Sequence, residues 1–459
     1  MFLEIIHAEG LGHLSYIIGD GGKAAVIDPR RDCKIYTEIA KQHGAEISYI
    51  FETHRNEDYV SGALELARRS GATILHGEGL PFEYGEFAKD GNTFPLGKLL
   101  LTVLATPGHT YESISVVVAD TSFSNNPVGI FTGDALFVGD VGRTDFFPGK
   151  EEEVAGLLYD SLFNKILPLG NEVIIYPAHG AGSVCGAGLA AREFSTIGYE
   201  RKHNRILQMK DRDKFIAYKA AEHHYKAPYF KMMEKYNLEG IPLVNKLPEP
   251  KPVSADEFDK RLQKGLLAID IRSPEAFAGA HIPGSINIPF DMVAAFAGWI
   301  ISYDDKVGLI VENIEQVEKA MPSFMRLGFD NVTCYLRDGA HAWEVSGKDF
   351  TSIPIIHINE LQKRIKKEEK FTLLDVRAKH EAEVFSLPNS QHIYVGELSS
   401  RLQEIDKDKP ITTLCASGRR AMIAASILKK HGLKVDTSLG ALSAGKALGC
   451  FNQSCNQAA

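Results

Sequence analysis

The chain has 459 residues, 44% of them hydrophobic and 24% charged, with a formal net charge of −8. That length exceeds one ordinary domain and predicts two or three. The acidic balance argues against a nucleic-acid partner, which needs a patch rich in Lys and Arg, and no apolar run is long enough to make a membrane a partner.

The opening MFLEIIHAEG lacks a basic leader, so no signal or transit peptide is read there. The runs FLEIIH, LSYIIGD, KAAVIDP, ISYIFETH and LLLTVLATPGH are apolar and β-rich, and several end in Asp or His. A charged, helical stretch follows from about Gly188 to Leu238. The segment NKLPEPKPVS then carries Pro248, Pro250 and Pro252 and reads as a semi-rigid linker that resists helix and sheet. Beyond it the chain repeats itself. LLAIDIRSPEAF is echoed by FTLLDVRAKHEAEVF, with Asp270 and Asp375 spaced 105 positions apart, and two copies of one small α/β domain are expected. The expected domains are 1–245, 253–350 and 355–450. Six scattered cysteines do not make a disulfide framework, and reduced thiols in a cytoplasm are expected.

Four residues just past apolar runs share one arrangement: His54 in FETH, His109 in ATPGHT, Asp134 in FTGDALF and His179 in YPAHG. One alone would be an ordinary polar strand cap. Together with Asp58 they point to a metal site gathered from separate strand ends. The stretch THRNEDY has the outline His-x-His-x-Asp-His, but Asn56 and Tyr59 stand at two of the four ligand places.

These motifs, with TGDALFVGDVGRTDF and PAHGAGSVCG, resemble the metallo-β-lactamase fold in the branch of glyoxalase II and the persulfide dioxygenases. The resemblance implies an αββα sandwich. Two-metal hydrolases of this fold would use His54, Asn56 and His109 for one ion and Asp58, Tyr59 and His179 for the other, bridged by Asp134. Each set is one ligand short, because an amide oxygen is weak and a phenol must first lose its proton. Persulfide dioxygenases use a single non-haem iron on two His and one Asp. The matching positions His54, His109 and Asp134 are intact, implying one mononuclear Fe(II) per chain, with zinc as the alternative. Asp58, Tyr59 and His179 are then candidates for orienting the ligands. Arg143 and Cys185 are candidates for contact with the substrate.

DIRSPEAFAGAHIPGSINIP and LCASGRRA resemble the rhodanese sulfurtransferases. The second has the active-loop form Cys-x-x-Gly-x-Arg in Cys415, Gly418 and Arg420, between an apolar strand and a helix. Loop N–H groups, the helix N-terminus, Arg419 and Arg420 would favour a thiolate or persulfide on Cys415. In the first copy the same spacing reaches Ile310, or Val311 or Glu312 after a short slip, so this copy is expected to be silent. Cys334 reads as core, and Cys450 and Cys455 fall in a polar tail.

The resemblance implies oxidation of a thiol persulfide, of glutathione, coenzyme A or a similar thiol, by O₂ to sulfite. Sulfur transfer at Cys415 would then give or use thiosulfate, and a homo-oligomer is expected. Two alternatives stand beside it: a zinc thioester hydrolase of the glyoxalase II kind, and a sulfur carrier whose first domain is a bare scaffold.

Overall fold

The computed structural model describes residues 1–183, 188–244 and 249–448. Two compact units divide the chain, Met1–Leu247 with Met325–Gly328 and Pro248–Phe324 with Phe329–Ala459. Among the described residues no helix is long and apolar enough to cross a membrane.

Two six-stranded sheets build the first unit. One runs in chain order through β1 (Phe2–Ala8), β2 (His13–Asp20), β3 (Lys23–Ile27), β4 (Glu46–Phe51), β5 (Thr73–His76) and β6 (Glu86–Phe87). The other holds β7 (Thr93–Leu96), β8 (Leu99–Ala105), β9 (Ile114–Asp120), β10 (Pro127–Gly133), β11 (Ile174–Pro177) and β12 (Ser195–Thr196), again as sequence neighbours. Side chains alternate across a pleated strand, so each strand serves two layers. In β2, Leu14, Tyr16 and Ile18 enter a core shared with Leu101, Val103, Val116 and Phe131 of the other sheet. Ile17 faces the opposite way, against Tyr36, Ile39 and Leu66 on outer helices. On the second sheet Val117, Ile130 and Ile175 pack against Leu158, Leu162 and Phe215 in the same manner. The result is the expected αββα sandwich.

Two parallel sheets build the second unit. The first has the order β13-β17-β16-β14-β15, with β13 (Lys251–Val253), β14 (Leu267–Asp270), β15 (Ile286–Asn287), β16 (Val307–Ile310) and β17 (Val332–Leu336). The second has β19-β18-β20-β21, with β18 (Thr372–Asp375), β19 (Gln391–His392), β20 (Ile411–Leu414) and β21 (Val435–Thr437). The proline-rich segment departs from its reading as a linker without sheet, since β13 pairs with β17. Pro252 is tolerated because β13 is an edge strand, where one N–H fewer costs no ladder bond.

The repeat is visible atom by atom. Arg272 grips Asp270 through Nε and an NH2 bond of 2.7 Å. Arg377 grips Asp375 the same way, with an NH2 bond of 2.6 Å. Strand pairing sets Asp270 beside Ile310 and Asp375 beside Leu414. The next residues, Val311 and Cys415, are therefore equivalents. Val311 stands one position later than the spacing of the aspartates would place it.

Candidate metal centre and thiol loop

His54 lies just past β4, His109 past β8, Asp134 past β10 and His179 past β11. None is more than 2% exposed. Asp134 Oδ2 lies 3.6 Å from His54 Nε2 and 3.3 Å from His109 Nε2. One ligand atom from each of His54, His109 and Asp134 falls within 4.8 Å of the others. Among the described residues these three atoms have no hydrogen-bond partner. Polar atoms buried without a partner are costly, and a divalent ion among them would satisfy all three. Two imidazoles and a carboxylate are a donor set that fits such an ion.

The far side of each ligand is held. His109 Nδ1 donates to the Arg143 carbonyl at 3.0 Å, which leaves the Nε2 lone pair for the centre. His54 Nδ1 meets Thr53 Oγ1 at 2.9 Å, and that hydroxyl donates to Asp28 Oδ2 at 2.7 Å. Thr53 N–H also donates to Asp28 Oδ1 at 2.7 Å. Gly133 permits this approach: its φ of +52° suits glycine, and a Cβ there would lie 2.6 Å from Thr53 Oγ1. Burial pushes His54 down to about 3 and His109 down to about 4, so both rings are neutral near pH 7. Burial alone would raise Asp134, but the surrounding imidazoles, His179 first, outweigh it and hold the carboxyl well below its usual range.

His179 plays a different part from the triad. Its Nδ1 is 2.7 Å from Asp134 Oδ1 and its Nε2 is 3.1 Å from Asp58 Oδ2. Burial would lower its pKa, yet the two carboxylates outweigh burial and raise it well above the ordinary value. The ring stands between two carboxylates, and Asp134 Oδ2 lies toward His54 and His109. Asn56 donates to the His54 carbonyl at 3.2 Å. Tyr59 is fully buried and packs on the ring of His13, centroids 4.0 Å apart.

Arg143 is 1% exposed and grips Asp145 through two bonds of 2.6 and 2.8 Å. Its guanidinium also lies over the Phe146 ring at 4.7 Å. Cys185 lies outside the described residues, as do Cys450 and Cys455.

Sequence reading passed over several residues that shape this site. Asn237, on the helix Phe230–Glu239, donates to the carbonyls of Asn56 at 2.7 Å and Tyr59 at 2.8 Å and accepts from Ser61 N–H at 2.9 Å. It ties down the whole His54 loop from 176 positions away in sequence, and nothing local announces it. Asp28 did carry a signal, as an Asp at a strand end before Pro29. Glu57 gave none, because it occupies an unassigned place in the motif. Its Oε1 accepts from Arg55 at 2.9 Å, while its Oε2 lies 3.8 Å from His109 Nε2.

In the second unit Cys415 follows β20 and is fully buried. The helix Arg419–Lys430 begins after Gly418, whose N–H donates to Cys415 Sγ at 3.0 Å. Gly418 has φ +99°, and a Cβ there would lie 2.7 Å from the Leu439 backbone. Arg419 pairs with Asp291, and Arg420 pairs with Glu381 through a bond of 2.8 Å. In the first copy Val311 offers no sulfur, and the next amide, of Glu312, is taken by Gln316 Oε1 at 2.8 Å. Cys334 is buried in β17, within the core.

The sequence matches the metallo-beta-lactamase superfamily over residues 8–179 and the rhodanese-like domain over 254–346 and 357–445. It is 32% identical over 184 residues to the human persulfide dioxygenase ETHE1, covering 36% of this chain and 63% of that protein. The chain thus spans less than two thirds of the length of this curated relative. To the hydroxyacylglutathione hydrolase GloC of Haemophilus influenzae it is 27% identical over 233 residues, covering 46% of this chain and all of that one. A metallo-beta-lactamase crystal structure from Staphylococcus aureus aligns with TM-score 0.66 and 32% identity, over 73% of this chain and 98% of the other. The chain belongs to the metallo-beta-lactamase superfamily, with rhodanese-like domains following its N-terminal domain.

Proposed function

We propose that the chain oxidises a low-molecular-weight thiol persulfide with O₂ to sulfite and moves sulfane sulfur at Cys415. One observation carries this reading. Ligand atoms of two histidines and one aspartate, none with a hydrogen-bond partner among the described residues, face one another closely enough to share one ion, while the Nδ1 of His179 is taken by Asp134 Oδ1 and its Nε2 stands in ion-pair range of Asp58. His54, His109 and Asp134 would hold one iron(II), and the likeness to persulfide dioxygenases favours iron over zinc. Iron bound in this way supplies redox chemistry toward O₂ that zinc lacks. Around it the protein keeps both imidazoles neutral, points their Nε2 atoms inward and excludes bulk water by burial.

At the second centre the Cys415 thiolate would attack the outer sulfur of thiosulfate or a persulfide. An S–S bond forms to Cys415 as the bond to sulfite or to the carrier thiol breaks. Sulfite or another thiolate then takes that sulfur in the reverse step. The Gly418 N–H and the start of the following helix favour the anionic sulfur. Val311 leaves the first copy without this chemistry. The carrier thiol is glutathione, coenzyme A or a similar thiol, in a cytoplasm where Cys415 stays reduced.

Anaerobic loading with iron(II), followed by O₂ uptake with glutathione persulfide and with coenzyme A persulfide, tests the proposal. One iron per chain and sulfite as product are expected. Two zinc ions per chain with thioester turnover and no O₂ uptake would overturn it.

A further inference from the structure

Residues 325–328 fall inside the rhodanese-like match of 254–346, the copy that Val311 leaves without a thiol. Met325–Gly328 nevertheless belong to the first unit. There they meet the two loops that carry His54 and its support. Arg326, at the end of the helix Ile314–Arg326, is buried and grips Asp32 through Nε and NH2, both at 2.8 Å. Its carbonyl accepts from the Val60 N–H at 2.7 Å. Val60 is buried as well, and a backbone N–H shut away from water is costly to leave unmet. Arg31, another buried side chain, donates to the Met325 carbonyl at 3.0 Å. Gly328 has φ +73°, and a Cβ there would lie 3.0 Å from the Tyr236 ring and 3.2 Å from Val60 Cγ2, so glycine is what lets the chain come this close.

One residue thus spans two loops, its side chain on the loop after β3 and its carbonyl on the loop after β4. The first of these holds Asp28, which sets Thr53 and through it His54. The second carries His54 itself. The two loops also meet where Gly62 N–H donates to the Pro29 carbonyl at 2.7 Å. From this we infer that Arg326 is a positioning residue of the metal centre, and that the rhodanese-like copy without a thiol has the task of clasping the His54 loop. A bidentate Arg–carboxylate pair fixes orientation as well as distance. A loop already held in place has less freedom to lose when the ion binds, so metal affinity should depend on the clasp. The inference rests on the triad reading above and adds no ligand to it.

Cobalt(II) is a suitable probe, because its binding is read without any turnover. The full chain and its Arg326→Ala, Arg326→Lys, Asp32→Asn and His109→Ala variants would be titrated with cobalt(II) against a competing chelator. Amide exchange of the metal-free forms would be followed at Val60 and along β9. Arg326→Ala should lower cobalt affinity about tenfold, the low end for groups that orient ligands, and speed exchange at Val60 well beyond any change in β9. Asp32 keeps its contact with Arg30 at 3.1 Å in that variant. Arg326→Lys, which can meet one Asp32 oxygen but not both, should fall between. If Arg326→Ala fails to fold, Asp32→Asn, which leaves Arg326 and its helix in place, should show the same two effects. Wild-type cobalt affinity in a folded variant, or equal acceleration at Val60 and in β9, would overturn Arg326 as a positioning residue and leave the triad reading intact. Cobalt bound as tightly by His109→Ala as by the full chain would sink the triad reading, and this inference with it.

Discussion

The Nδ1 of His179 lies 2.7 Å from Oδ1 of Asp134, the carboxylate oxygen turned away from the other two candidate ligands. Oδ2 is left toward His54 and His109. His179→Ala should leave all three triad residues in place but lower metal affinity about 10- to 100-fold, the usual cost of losing a group that orients a ligand. Chelator competition measures this. A loss of binding as complete as in His109→Ala would mean that His179 is itself a ligand.

Asn237 holds the His54 loop by three buried bonds. Asn237→Ala orphans two carbonyls and one N–H, and stability should fall by about 3 kcal/mol. Amide exchange at Ser61 should accelerate more than exchange in β2. Equal acceleration throughout the unit would show that Asn237 supports the fold generally rather than this loop.

Burial works against the Asp145 carboxylate, but Arg143 outweighs it and holds the pKa at about 2, below the ordinary 3.8. A carboxyl lowered in the folded state adds stability above its unfolded pKa and loses it as pH falls through the folded one. The contribution is full above about pH 4 and fades toward about pH 2. Arg143→Ala should cost about 3 kcal/mol near pH 7, since it leaves a mostly buried carboxylate with only the longer Lys226 contact of 3.6 Å, and should flatten the acid limb between those values. An unchanged melting temperature with a raised KM for persulfide would instead place Arg143 at the substrate.

Cys415→Ser should abolish sulfur transfer and spare O₂ uptake. Gly418→Ala should also lower transfer, because φ +99° and the 2.7 Å approach of Leu439 leave no room for a Cβ. Rhodanese assay beside O₂ uptake on one preparation checks both. Loss of both activities in Cys415→Ser would merge the two centres into one reaction.

Much of the architecture is a local property of the chain. Alternation of apolar residues specifies the strands, and the residues that follow β4, β8, β10 and β11 specify the candidate ligands, because a strand end is the same place in sequence and in space. The paired Asp-Arg grips at 270–272 and 375–377 are likewise legible, each being a contact across two positions. Packing decided the rest. His54 depends on Asp28 through Thr53, its loop depends on Asn237, and Asp134 depends on His179. Those contacts join segments far apart along the chain, and no periodicity records them. Val311 as the counterpart of Cys415 required strand register, since a single-residue slip escapes a repeat counted in sequence.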